Sequence, residues 1–111
     1  MKLYGLKNCD SCKKARKALQ SNGQSVEFID LQATSVAVEQ LQKWLNKHGD
    51  AVLVNRKSTT WRGLDDQARQ QPILALLMAN PTLIKRPVIE RGDDSFVGWT
   101  AEVQTALGLA E

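Results

Sequence analysis

A chain of 111 residues with 42% hydrophobic and 24% charged side chains has room for about one domain with its own core, which excludes wholesale disorder. Only 5% of residues are aromatic, so that core must be mainly aliphatic. The net charge of +3 is modest, and no basic block is interleaved with aromatics, so nucleic acid is not an expected partner.

Lys2 to Leu6 reads as a first strand. A helix follows from about Asp10 to Asn22 and stops at Gly23, a residue suited to a helix C-terminus. Cys12, Ala15 and Leu19 fall at i, i+3 and i+7, one helical face, which turns Cys12 toward the core and leaves Lys13, Lys14 and Lys17 outside. Ser25 to Leu31, with Val26, Phe28 and Ile29, reads as a second strand. Strand, helix and strand of this length make a right-handed parallel βαβ unit.

The middle of the chain reads as helical. Thr34 or Ser35 is placed to cap a helix with Val38, Leu41 and Leu45 on one face and its end at His48-Gly49. A loop is expected around Asn55 to Gly63, then a short helix over residues 64–70. Pro72 opens a helix from Ile73 to Ala79 that is apolar on most sides and therefore expected to be buried; Asn80-Pro81 ends it. Pro87 to Glu90 and Ser95 to Gly98 are expected strands, joined by a hairpin turn at Arg91-Gly92-Asp93-Asp94. Thr100 then caps a last helix with Val103, Ala106 and Leu107 inward. The order predicts an α/β, thioredoxin-like fold (βαβ–ββα) as a single domain over 1–111, with a helical insertion at about 35–80 between its halves.

Ile73 to Ala79 is the longest apolar stretch and falls far short of the roughly 20 residues that cross a bilayer, so no membrane span is expected. Leu3 to Leu6 is brief and Lys7 follows directly, which does not make a signal peptide. A cytoplasmic location and a monomer are the expectations. In that compartment a pair of cysteines separated by two residues more often means redox or metal chemistry than a crosslink.

Cys9-Asp10-Ser11-Cys12 is such a pair, set between a strand and a helix. Cys9 falls at the helix cap or beside it, where backbone N–H groups would point at its sulfur. Residues 1–17 carry Lys2, Lys7, Lys13, Lys14, Arg16 and Lys17 against Asp10 alone, a local balance of +5 that leaves −2 for the rest of a chain at +3. Positive charge favours the thiolate, which is the reactive form, and the same lysines also serve as a solvated helix face. Cys9 is thus the candidate nucleophile, attacking a sulfur to form a mixed disulfide. Cys12 has two open roles, a resolving thiol or a small buried hydrophobe. Structural zinc wants four ligands, and with two cysteines and one histidine, His48, at a distant helix end, no metal site is expected.

Tyr4-Gly5-Leu6-Lys7-Asn8-Cys9-Asp10-Ser11-Cys12-Lys13-Lys14-Ala15 and Leu83-Ile84-Lys85-Arg86-Pro87-Val88-Ile89 together resemble the arsenate reductase (ArsC)-like family, and within it the Spx/YffB-type branch of small proteins. The resemblance covers essentially the whole chain. It implies Cys9 as nucleophile beside Asn8, Arg56 and Arg86 as the first two of three arginines that hold an oxyanion, and Pro87 as a cis proline next to the nucleophile. The third arginine is expected on the last strand, where this chain has Ser95-Phe96-Val97-Gly98-Trp99. Losing one charge-assisted donor, worth about 1.5–3 kcal/mol, weakens a site for a tetrahedral anion. The resemblance therefore implies a glutathione-linked thiol reductase, with glutathione as co-substrate and no bound cofactor, acting on thiol or disulfide substrates. Its alternatives are a redox-sensing transcriptional regulator that binds RNA polymerase as a protein partner, as Spx does, and an arsenate reductase.

Overall fold

Strand β1 (Lys2–Gly5) buries Leu3, Tyr4 and Gly5 and occupies the inside of a four-stranded sheet, in the order β2-β1-β3-β4. In this computed structural model, which describes residues 1–109, β2 (Glu27–Asp30) pairs parallel to β1, Leu3 opposite Phe28. On the other side β3 (Val88–Arg91) runs antiparallel to β1, with Leu3 opposite Ile89, and β4 (Asp94–Val97) runs antiparallel to β3. Arg91 pairs with Asp94 across a two-residue turn in which Gly92 takes φ 62°, the left-handed value that glycine adopts without penalty.

Helix α1 (Asp10–Ser21) joins β1 to β2. It buries Cys12, Ala15 and Leu19, the expected face, and leaves Lys13, Lys14 and Lys17 exposed. Gly23, at φ 82°, and Gln24 close it, donating to the Gln20 and Leu19 carbonyls, each at 3.0 Å. Cys12, Ala15 and Leu19 join Leu3, Ile89 and Leu107 in one buried cluster, each leucine or isoleucine worth about 1.5–3 kcal/mol in apolar transfer.

The chain divides into two compact units. One is Met1–Asp30 together with the chain from Arg86, and holds the sheet, α1 and the final helix. The other is Leu31–Lys85, somewhat wider than the insertion expected at 35–80. The second unit is a series of helices: α2 (Val38–His48), α3 (Asp50–Leu53), α4 (Thr59–Arg62), α5 (Asp66–Arg69) and α6 (Ile73–Ala79), followed by a 3-10 turn over Pro81–Leu83. Val54 and Ile84 form an isolated antiparallel bridge within it.

Five local expectations are corrected. Helix α2 starts at Val38 after Ala37, with no side-chain cap, so neither Thr34 nor Ser35 serves; Val36, only 9% exposed, enters the core just before the helix and anchors its start by burial. The face of α2 is built on Leu41 and Trp44, because the large indole is the better group to bury; Val38 is 41% exposed. Helix α6 buries only Leu76 and Leu77, and Met78 is 47% exposed, since a two-turn helix offers one stripe to its neighbours whatever its composition. In the final helix α7 (Ala101–Ala106) Leu107 is buried just past the end and Val103 half-buried, but Ala106 is exposed. The region expected as a loop holds the single turn α4, capped by Ser58, whose Oγ accepts from the Trp61 N–H at 3.1 Å.

Candidate active site

Past Gly5 the chain leaves the sheet and turns directly into α1. The Cys9 N–H donates to the Leu6 carbonyl at 3.2 Å, and the Cys9 carbonyl accepts from the Lys13 N–H at 3.0 Å, the first bond of the helix. Cys9 is therefore the N-cap, with extended φ −88° and ψ 119°. No side chain caps this end, so the first-turn N–H groups face whatever anion sits there. Cys9 is half-buried and its sulfur is a free thiol; Cys12, also free, is 1% exposed.

The two sulfurs have different environments. Burial pushes the Cys12 thiol up from its ordinary 9.0 to about 12. The Leu6 backbone amide opposes this, the hydrogen bond and charge of Cys9 add to it, and the Arg86 guanidinium draws it down. Arg86 is thus within electrostatic reach of Cys12. Cys12 lies inside the cluster formed by Leu3, Ala15 and Leu19, so its reserve of thiolate at neutral pH is very small.

Pro87 follows Arg86 through a cis peptide bond, the geometry that the resemblance implies. It is buried, and its carbonyl accepts from the Gly98 N–H at 2.8 Å, tying the entry of β3 to the exit of β4. Asn8 is exposed in the turn before Cys9. Cys9, Cys12, Asn8, Arg86 and Pro87 all belong to the sheet unit. Arg56 belongs to the helical unit, where its guanidinium donates to Asp50 Oδ2 at 3.1 Å and lies 5.4 Å from the Trp61 ring centroid. There it lines a cleft of about 300 Å³ with Asn55, Lys57 and Lys85, a basic surface of which the sequence reading named only Arg56 as a binding residue. Gly5 also escaped that reading. A glycine inside a buried strand is the signal for it, because it marks a close approach by another part of the chain.

The sequence model of the ArsC family matches residues 4–107. The chain belongs to the ArsC family. A relative from Haemophilus influenzae, described as an uncharacterized protein, is 38% identical over 110 residues, covering 95% of this chain and 96% of its own. The solved structure of a YFFB protein is 36% identical, with TM-score 0.86 and 96% of each chain covered. An arsenate reductase (ArsC) related protein from Brucella melitensis, solved in solution, is 34% identical with TM-score 0.72, covering 95% of this chain and 91% of its own. The ArsC assignment expected from Tyr4–Ala15 and Leu83–Ile89 and the thioredoxin-like α/β architecture expected from the order of elements are therefore both met. This is the arsenate-reductase-like fold of thiol oxidoreductases. Among the described residues no group of three or more His, Cys, Asp and Glu side chains could hold a metal, and no helix is long and apolar enough to cross a membrane.

Proposed function

We propose that this ArsC-family chain is a thiol–disulfide oxidoreductase that works through one cysteine, Cys9, with glutathione as co-substrate. The observation that carries the reading is the inequality of the two thiols: Cys9 stands half-exposed at the uncapped mouth of α1, while Cys12 is sealed and held protonated. In the first step the Cys9 thiolate attacks the glutathione sulfur of a mixed disulfide. The old S–S bond breaks, a new one joins Cys9 to glutathione, and the substrate leaves as a thiolate that takes up a proton. In the second step the thiolate of another glutathione attacks the glutathione sulfur held on Cys9. Glutathione disulfide leaves, and Cys9 is restored as thiolate. Two electrons from glutathione have then reduced one disulfide.

The uncapped first turn of α1 offers its amides to the anion on each leaving or attacking sulfur. Free thiols at both positions suit a reducing compartment such as the cytoplasm. Arsenate is the weaker substrate reading, because β4 supplies Asp94, Ser95, Phe96 and Val97 where a third arginine would be required. The test is steady-state reduction of a glutathione mixed disulfide by the parent chain, Cys9→Ser and Cys12→Ser. Activity lost in the first variant and kept in the second is expected; equal loss in both would mean that two thiols are needed.

A further inference from the structure

Cys12 packs against the residue at the end of β1. Gly5 is buried, and a Cβ built on it would collide with the Cys12 Sγ, come within 3.2 Å of the Cys12 Cβ and lie 3.5 Å from Leu3 Cδ2. The sulfur is therefore the atom that must move, while at 3.2 Å the Cys12 Cβ need give by only a few tenths of an ångström. The space a side chain would take at position 5 is filled by the thiol. The next residue, Leu6, aims its backbone amide at the same sulfur. One dipeptide therefore provides both the vacancy and a hydrogen-bond donor for the second cysteine.

We infer that Gly5 is a positioning residue for the cysteine pair: its missing side chain seats the Cys12 thiol against the end of β1, keeping it out of solvent and leaving Cys9 as the sulfur that reacts. This deepens the one-cysteine reading and rests on it for its functional meaning, but the seat itself is testable without any catalysis. Any side chain at position 5 evicts the sulfur from its pocket. The evicted thiol then gains water, becomes easier to ionise and turns into a competitor or a resolving partner for Cys9. The groups that act on Cys12 are the Leu6 amide, Cys9 and Arg86, and a methyl group at position 5 changes the chemistry of none of them.

The experiment measures iodoacetamide alkylation of Cys12 against pH in Cys9→Ser protein, with and without Gly5→Ala. No disulfide substrate or glutathione is present, so failure of the reductase reading would leave the result untouched. With Gly5 in place the midpoint of alkylation is expected well above the ordinary 9.0, because burial, the largest influence on Cys12, remains when Cys9 is replaced. With Gly5→Ala it falls toward 9, and the rate at pH 8 rises by about tenfold to a thousandfold, since each unit is tenfold in thiolate. Thermal unfolding supplies the control against simple misfolding. Gly5→Ala is expected to lower Tm in the parent chain and to recover most of that loss in a Cys12→Ala background, where the sulfur is gone. An unchanged alkylation profile, or a Tm loss of the same size with Ala at position 12, would overturn the assignment.

Discussion

Cys9 and Cys12 sit three residues apart on one helix and share almost nothing else. Cys9 is the N-cap, half-exposed, with the open first turn of α1 beside it. Cys12 is one turn further on, walled in by Leu3, Ala15 and Leu19 and pressed against Gly5. The difference teaches that spacing alone does not define a two-thiol site. Helical periodicity turns the second position inward, and the environment there decides whether a sulfur ionises or packs.

The comparison breaks most visibly in kinetics. Cys9→Ser should lower the rate of mixed-disulfide reduction by about a thousandfold or more, the scale on which nucleophiles are lost, while Cys12→Ser should stay within about threefold. Opening the wall is the next largest effect. Leu19→Ala removes a fully buried side chain from the cluster around Cys12 and should cost about 2–5 kcal/mol in chemical denaturation, with Cys12 alkylation rising in the folded protein.

Alkaline stability sharpens the contrast. The Cys12 pKa in the folded chain is about 12, above its ordinary 9.0, so the protonated thiol favours the fold below pH 9 and that contribution is lost as pH rises from 9 toward 12. Denaturation midpoints of the parent chain should therefore fall across this window relative to Cys12→Ala, which has no such group to titrate. The smallest effect belongs to Arg86. Its charge is the least of the influences on Cys12, so Arg86→Gln in Cys9→Ser protein should raise the Cys12 alkylation midpoint by less than about one unit.

Much of the sheet unit was legible in the sequence because its elements are long enough to show a period. Cys12, Ala15 and Leu19 mark the buried face of α1, and Gly23 and Thr100 stand at the helix ends where the backbone uses them. The Arg91–Asp94 turn was equally plain. The helical unit was harder to read for a physical reason. Helices of four residues, such as α3, α4 and α5, complete about one turn and carry no period, so their places are set by capping and packing. Trp44 displaced Val38 and Leu45 as the anchor of α2 because burial of an indole outweighs that of a smaller aliphatic group. At the site, Cys9, Arg86 and Pro87 were named from the sequence and lie in one unit, whereas Lys57 and Lys85 beside Arg56 have no spacing that announces a shared cleft. Gly5 was visible as a residue but not as a contact, since only three dimensions bring the fifth and twelfth positions together.

The most direct measurement is mass spectrometry of the reduced protein after exposure to oxidised glutathione, with the modified cysteine located by peptide mapping. A single glutathione adduct on Cys9, with Cys12 still a free thiol, is the predicted result. Rapid conversion to an internal Cys9–Cys12 disulfide, or glutathione on Cys12, would contradict the account.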